Sequence, residues 1–218
     1  MLSSLVNVSA ELAASVAAGL GMAVPEAMPK VLAQPATPEV TTSAALSLTA
    51  LPGDGGIRTR SVAILVADGV DGPSITAVQA ALRAAGATVH LIAARLGPVK
   101  TANGKPFDAS GTLENSAPVL FDGLVLPDGD SGVKLLGSHV EVMDFISNQY
   151  RHGKTILALG ASKLLLDRAG IEATLAGGQA DPGILMAAAG QVDHAVAGFI
   201  AALGQHRHPE REAAALAY

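Results

Sequence analysis

The stretch Ser61–Gly72, with the sequence SVAILVADGVDG, decides the fold. Its first seven residues form a continuous apolar run, which is typical of a strand buried on both faces of a parallel sheet. The run ends in a Gly/Asp turn, and Pro73–Ala85 then reads as a helix that Gly86 terminates. A buried strand, a turn and a helix in this order predict an α/β domain.

The same alternation continues through the rest of residues 59–205. Further strands are predicted at Thr88–Ala93, Gly123–Leu126 and Thr155–Leu159, and further helices at Ser138–His152, Ala161–Arg168 and Val192–Leu203. The pair Asn103-Gly104 predicts a small hairpin over Val99–Phe107. We therefore expect one α/β domain at 59–205, built on a doubly wound, mostly parallel sheet with helices on both faces.

The segments on either side of this domain have a different character. Residues 1–21 predict a short helix with Ser9 as its N-cap and Glu11 in its first turn, where the helix dipole favours an anion. Residues 22–58 predict a Pro-rich linker, because prolines at this density prevent a continuous helix. Residues 206–218 are charged and then alanine-rich, and we expect a solvated tail, either a frayed helix or an arm.

The composition excludes several classes of protein. Half of the 218 residues are hydrophobic, which argues against a disordered chain. The net charge is −5 and 3% of residues are aromatic, so the chain offers nucleic acid neither a basic field nor stacking platforms. No apolar run approaches the roughly 20 residues of a membrane span, and we interpret the alanine-rich N-terminus as structure and not as a signal peptide. The absence of cysteine excludes disulfides and thiolate sites and favours a cytoplasmic protein.

In parallel sheets of this kind, ligands bind at the carboxyl ends of the strands. The first loop predicted there is Asp68–Ser74, with two carboxylates and two glycines. We interpret it as an acidic turn in which Asp71 or Ser74 caps the next helix; the alternative is a general acid/base pair or a metal site. Its carboxylates disfavour phosphate, and the chain contains no GxGxxG or Walker pattern.

Two further loops follow predicted strands. Residues 127–132, PDGDSG, begin like a calcium loop, but His139 stands where that loop requires glutamate. Gly160 falls at the apex of the turn after Thr155–Leu159, where a nucleophile elbow would carry its reactive side chain. Ser162 lies on the first turn of the next helix, and we interpret it as a cap, with a catalytic serine as the alternative.

The histidines offer one further metal candidate. His206 and His208 have the His-x-His spacing of a chelating pair. Because both fall in the predicted tail, we expect no metal site there. No cofactor is predicted for the chain.

Four segments of the chain together resemble the C-terminal domain of large-subunit catalases. They are Ile57–Gly72, Phe121–Gly129, Asn148–Ser162 and Ala180–Gly183. The stretch Leu5–Ala13 is also similar to the segment in which the catalase core ends and the linker begins, so the resemblance covers nearly the whole chain. It implies a flavodoxin-like fold, similar to the DJ-1/PfpI and class I glutamine amidotransferase group.

The resemblance also implies that the haem belongs to a different domain of the parent protein. Large-subunit catalases are haem enzymes that dismutate hydrogen peroxide and assemble as oligomers, and their haem ligands belong to a core domain that this sequence lacks. Haem is therefore expected only in that core. The partners implied are the core domain and neighbouring subunits, with unfolded client proteins as a further class, and neither nucleic acid nor a membrane.

In the DJ-1/PfpI relatives, the loop after the equivalent strand carries a nucleophilic cysteine, which an acidic residue from the first loop approaches. Here Gly160 stands at the cysteine position, and Asp71 or Ser74 lies near the acidic one. Asp128 belongs to the segment that matches the oxyanion-side loop, where the relatives often have glycine. The resemblance thus implies a vestigial site, with Ser162 as its remaining hydroxyl, that lacks the nucleophile for covalent catalysis.

Two kinds of function remain open at this point. The first is a non-catalytic accessory domain of a large-subunit catalase, which contributes to stability, assembly, access to the substrate channel or chaperone-like activity. The alternative is a residual DJ-1/PfpI-like hydrolase that uses Ser162 or the acidic loop, or a module that binds a small ligand or a flavin at the strand ends.

Overall fold

The computed structural model describes residues 1–31, 37, 40, 43–46 and 55–211. The chain divides into two compact units, residues 1–50 and residues 51–218. The division falls inside the Pro-rich linker predicted at 22–58. Much of that linker, and residues 212–218 of the predicted tail, lie outside the described residues.

Among its described residues, the first unit contains two α-helices where the sequence predicted one helix. They are α1 (Leu2–Val6) and α2 (Ala10–Gly19). The backbone is extended at Ser9, whose hydroxyl accepts the N–H of Leu12 at 3.2 Å. The predicted N-cap therefore begins a new helix, and the extended residue separates that helix from α1. The side-chain amide of Asn7 donates to the Met28 carbonyl oxygen at 2.6 Å, which ties the following segment back to the helices.

The second unit is built on a six-stranded sheet in which every neighbouring pair is parallel. In spatial order its strands are β5 (Gly111–Thr112), β2 (Thr88–Ala93), β1 (Ser61–Leu65), β6 (Gly123–Leu126), β7 (Thr155–Leu159) and β8 (Ile184–Ala187). β6 and β7 are buried at every residue, and β1 at all but its first. Burial on both faces is the reason that these three strands read as continuous apolar runs.

Helices cover both faces of this sheet. They are α3 (Gly72–Ala84), α4 (Asp130–Leu136), α5 (Val140–Arg151), α6 (Lys163–Arg168) and α7 (Val192–Gly204). α3 packs against α7, whereas α6 packs against both α4 and α5. The predicted doubly wound α/β fold is confirmed, and its direction of winding reverses between β1 and β6. In such sheets, the crevice at this reversal is where ligands bind.

Some elements of the second unit differ from their predictions. The helix predicted at Ser138–His152 begins at Val140, and α4 occupies part of the sequence that the glycines marked as a loop. The glycine inside α4, Gly132, has another purpose: a Cβ there would lie within 3.0 Å of the Val70 backbone, so the helix needs glycine to pack closely. The strand β5 was not predicted because it has two residues, and the four-residue strand β8, of which one residue is buried, was not predicted either.

The predicted hairpin is present, but with a longer connection. A separate antiparallel pair joins β3 (Gly97–Val99) to β4 (Phe107–Ala109), and Val99 lies opposite Phe107. Seven residues connect the two strands in place of the two-residue turn that Asn103-Gly104 predicted. The Asn103 side chain instead reaches across to the first carboxyl-end loop.

The amino edge of the sheet carries paired charges around Asp122, which precedes β6. Asp122 lies 3.5 Å from Arg60, 3.8 Å from Lys154 and 3.5 Å from His206. Burial lowers the pKa of Lys154, although the charge of Asp122 raises it. Burial also lowers the pKa of His206, and the positive charges of Arg60 and Lys154 lower it further.

A second set of charges fixes the chain after α7. The guanidinium group of Arg211 donates to both carboxylate oxygens of Asp181, at 2.6 and 3.0 Å. His208 is 3% exposed, and its Nε2 lies 2.9 Å from the Thr155 hydroxyl. Burial lowers the pKa of His208, and the charge of Arg211 lowers it further. The prediction of a solvated tail is therefore wrong for His208 and for the side chain of Arg211, because their partners lie far away in the sequence.

Candidate functional site

The candidate site lies at the carboxyl edge of the sheet, where the loops after β1, β6 and β7 meet. Asp71, Asp128 and Gly160 line one open cleft there. Ser74 lines an adjoining pocket together with Asp71 and Asp128. The fold therefore brings together four of the five residues that the sequence singled out, and it leaves Ser162 outside both cavities.

Asp71 caps α3 and has both carboxylate oxygens engaged. One oxygen accepts the backbone N–H of Ser74 at 2.9 Å, and the other accepts the side-chain amide of Asn103 at 2.9 Å. The Ser74 hydroxyl in turn donates to the Asp71 carbonyl oxygen at 3.0 Å. Burial raises the pKa of Asp71, but the hydrogen bonds from Ser74 and Asn103 outweigh it and hold the pKa below its ordinary value. This geometry favours the capping interpretation over a general base, which needs an available proton site.

Gly160 has the positive φ of +50° that side-chain-bearing residues rarely adopt. A Cβ at this position would lie closer than 3.0 Å to the carboxyl group of Asp128. The space in front of position 160 is therefore filled by another side chain. The strained turn of a nucleophile elbow tolerates such a backbone, so it is the Asp128 carboxyl group that leaves no room for a nucleophilic side chain at position 160.

Asp128 is held by backbone donors. Its Oδ1 accepts the N–H of Gly129 at 2.7 Å and the N–H of Ala161 at 2.9 Å. Its carbonyl oxygen accepts the N–H of Asp71 at 2.8 Å, which joins the loop after β6 to the loop after β1. The carboxylate thus bridges the ends of β6 and β7, while its backbone is fixed to the end of β1.

Ser162 lies behind the cleft and is fully buried. Its hydroxyl lies 3.0 Å from the Leu126 carbonyl oxygen and 2.8 Å from the Leu159 carbonyl oxygen. Ser162 is the N-cap residue of α6 by position, but its hydroxyl makes no capping bond, so the predicted capping role is wrong. A buried hydroxyl that bonds the ends of two strands supports the sheet and has no route to a substrate.

A third cavity, of about 230 Å³, lies beside the ends of β1 and β2. Its walls are mostly apolar, and Asp68, Arg95 and His139 add polar groups. The Asp68 carboxylate accepts the N–H of Lys100 at 2.8 Å. These side chains come from three separated segments, so no sequence motif could have indicated the cavity.

The described ranges show no group of three or more His, Cys, Asp or Glu side chains that could hold a metal ion. His206 faces Asp122, whereas His208 faces Thr155, so the His-x-His pair does not converge. The guanidinium carbon of Arg211 lies over the ring of Tyr150, 4.6 Å from the ring centroid. Within the part of the chain that the structure describes, no helix has the length and apolar character needed to span a membrane.

Comparison with known sequences gives consistent matches. The model of the C-terminal domain found in long catalases matches residues 58–213. Catalase HPII of Pseudomonas putida is 35% identical over 211 residues, which is 97% of this chain and 27% of that protein. Catalase HPII of Pseudomonas aeruginosa is 34% identical over 213 residues, 96% of this chain and 27% of that protein. The chain thus spans about a quarter of the length of these curated relatives.

Comparison with solved structures identifies the same type of fold. A DJ-1 superfamily protein of Salmonella typhimurium, solved as a cysteine-to-alanine mutant, matches with a TM-score of 0.59 and 22% identity, over 72% of this chain and 97% of that chain. Oxidised DJ-1 of Toxoplasma gondii matches with a TM-score of 0.60 and 18% identity, over 73% of this chain and 100% of that chain. At these identities the likeness shows the fold alone.

Proposed function

Because the chain belongs to the family of C-terminal domains found in long catalases, we propose that it is a non-catalytic accessory domain of such a catalase. In this proposal the parent polypeptide dismutates hydrogen peroxide, and both the haem and its ligands lie in the parent's core domain. The relatives support this division, because the chain corresponds to only 27% of their length.

The geometry of the carboxyl edge is the observation that carries the non-catalytic assignment. Gly160 supplies no nucleophile, and the Asp128 carboxyl group fills the space that a side chain at 160 would need. Covalent catalysis requires a reactive side chain that a substrate can reach. The alternative of a residual hydrolase has no support from Ser162, which is buried among backbone carbonyl groups.

The accessory role that we propose is stabilisation and assembly of the parent catalase, with the core domain and neighbouring subunits as partners. The helix α2 and its C-cap residue Leu20 support it, because Leu12, Val16 and Leu20 repeat at four-residue spacing and are 48%, 36% and 66% exposed. Residues at this spacing lie on one face of a helix. An apolar face of this kind suits docking against a larger partner.

A chimaeric catalase tests this role. The Pseudomonas putida catalase is prepared in three forms: complete, without its C-terminal domain, and with that domain replaced by this chain. We expect the replacement to restore the thermal stability and oligomeric state that the truncated form loses, as measured by scanning calorimetry and light scattering. A chimaera that behaves like the truncated form would contradict the proposed role.

The purified chain tests the non-catalytic assignment separately. We expect no oxygen release from hydrogen peroxide above the blank and no absorbance band beyond the protein band. The Ser162→Ala variant distinguishes the hydrolase alternative, because ester turnover that disappears in this variant would assign a reaction to the chain. Visible absorbance from bound haem or flavin would overturn the assignment of cofactors to the core.

Chaperone-like activity is a second candidate, and the exposed apolar face of α2 also favours it. The matched test compares the chain with a Leu12→Ser/Leu20→Ser variant in an assay of client-protein aggregation. Suppression by the original chain and not by the variant is the expected result. No suppression at equimolar ratio or moderate excess would remove this candidate.

We also propose that the protein works in the cytoplasm and binds neither nucleic acid nor a membrane. The absence of cysteine and the net charge of −5 support this location and these partners. Cell fractionation of the source organism with an antibody against the chain tests the location.

A further inference from the structure

One carboxylate oxygen at the carboxyl edge receives two backbone hydrogen bonds from two different loops. Asp128 Oδ1 accepts from Gly129, which follows β6, and from Ala161, which follows β7, at 2.7 and 2.9 Å. Two converging backbone N–H groups at 2.7–3.1 Å from one oxygen are the geometry by which proteins stabilise an oxyanion. The two amides therefore form an anion-binding site, and its occupant belongs to the same chain.

The Asp128 carboxyl group also fills the space that a side chain at position 160 would occupy. A Cβ at Gly160 would lie closer than 3.0 Å to Asp128 Cγ and to both of its carboxylate oxygens. The same carboxyl group thus blocks the volume of a side chain at 160 and uses the two donors that a reacting oxygen would require. Asp128 alone therefore takes both the space for a nucleophilic side chain and the hydrogen-bond donors for a reacting oxygen.

The loop that carries Asp128 is fixed in this position. The N–H of Asp71 donates to the Asp128 carbonyl oxygen at 2.8 Å. A Cβ at Gly129, where φ is +109°, would lie within 3.0 Å of the Gly69 carbonyl oxygen and of the Asp71 nitrogen. Backbone contact this close leaves the loop little freedom to carry the carboxylate away.

We propose that the Gly129 and Ala161 amides are an anion site that Asp128 occupies as a built-in ligand, and that a small carboxylate binds there once this side chain is removed. Formate is the appropriate probe, because it reproduces the carboxylate group that Asp128→Ala deletes. The inference goes beyond the accessory role and does not depend on it.

The test uses the full chain with Asp128→Ala. Sodium formate at about ten times its dissociation constant is expected to raise the Tm of this variant by about 3 °C, relative to sodium chloride at equal ionic strength. The amide NMR signals of Gly129 and Ala161 should shift in the same titration. The original chain should not respond, and neither should Asp130→Ala, which removes an exposed charge two residues away. The proposal would be overturned by a folded Asp128→Ala variant in which formate does not shift the NMR signals of these two amides.

A further measurement applies if Asp128→Ala does not fold. Asp128→Asn keeps the shape of the side chain and removes its charge, and it should shift the amide NMR signals of both Gly129 and Ala161 relative to the original chain. A shift of one of these two amides without the other would also overturn the proposal.

Where the variants fold, a double-mutant cycle tests the shared space. Gly160→Ala should lower the Tm more in the original chain than in the Asp128→Ala background, because the new methyl group then enters vacated space. Equal losses in the two backgrounds would contradict the proposed occupancy.

Discussion

The two edges of the parallel sheet satisfy their acidic side chains in different ways. At the amino edge, Asp122 and Asp181 each accept a backbone N–H and also face cationic side chains, including the nearly buried Arg211. At the carboxyl edge, Asp71 and Asp128 are held by backbone amides and by a side-chain amide. Cationic side chains thus add to the backbone donors at the amino edge, whereas the carboxylates of Asp71 and Asp128 are held by neutral donors.

This difference distinguishes the amino edge, which stabilises the fold, from the carboxyl edge, where sheets of this kind bind ligands. The pair Asp181–Arg211 joins segments 30 residues apart and fixes the chain after α7 to the sheet. The bonds of Asp128 join neighbouring loops at the crevice in which such sheets bind ligands, and its carboxyl group occupies the space that a side chain at position 160 would need. We interpret the amino edge as the source of stability and the carboxyl edge as an open cleft in which the nucleophile position is blocked.

The largest effect is expected from Arg211→Ala at the amino edge. The change leaves the fully buried Asp181 carboxylate without its partner, which costs about 3–5 kcal/mol of the free energy of unfolding. Urea denaturation measures it. The control is Lys163→Ala, which breaks the exposed Lys163–Asp167 pair and should cost about 0.5 kcal/mol or less. Similar losses in both variants would remove the distinction between buried and exposed pairs.

Gly160→Ala is expected to give the next largest loss, at the carboxyl edge. The positive φ and the collision with Asp128 together cost about 2–4 kcal/mol. Gly170 is the matched control, because its φ is +68° and nothing lies within 4 Å of its Cβ position. Gly170→Ala should therefore cost only the strain of a positive φ, about 1–2 kcal/mol of the free energy of unfolding. Equal losses of unfolding free energy in Gly160→Ala and Gly170→Ala, measured by denaturation, would show that Asp128 does not fill the space next to position 160.

Ser162→Ala is expected to cost about 1 kcal/mol, because it removes one buried hydroxyl hydrogen bond. Ser138→Ala removes an exposed hydroxyl that donates to the Leu135 carbonyl oxygen, and it should cost less. Thermal denaturation compares the two. A Ser162→Ala variant as stable as the original chain would show that this serine does not support the sheet.

The smallest effect is a pH dependence that belongs to the amino edge. The pKa values of His206 and His208 are lowered in the folded chain, so the unfolded chain binds more protons as the pH falls through their ordinary value of 6.5. Stability should therefore decrease from about pH 7.5 to about pH 5.5. Asp71 does not contribute in this window, because its lowered pKa affects stability only as the pH falls below its ordinary 3.8.

The variant His208→Gln should weaken this pH dependence in urea denaturation. A pH dependence that is identical in the original chain and in His208→Gln would assign the effect to other groups.

The sequence predicted the elements whose signal is local. The apolar runs of β1, β6 and β7 are continuous because both faces of each strand are buried, and hydrophobic periodicity detects this directly. Asp71 was predicted as a possible cap for the same reason, because a cap and its helix are neighbours in the chain. The two-residue strand β5 was missed because its pairing to β2 defines it, whereas β8 was missed although it is apolar, and it lies at the edge of the sheet with one buried residue.

By itself, then, the sequence determined the α/β class, the central strands and the absence of a cysteine nucleophile. Only the tertiary structure decided that Asp128 occupies the space before Gly160, that Ser162 faces carbonyl groups, and that Arg211 belongs to the folded domain. The physical reason is the range of the interactions. Periodicity and capping act over a few residues, whereas two loop amides, a carboxylate and a buried ion pair meet only after the parallel sheet has brought distant segments together.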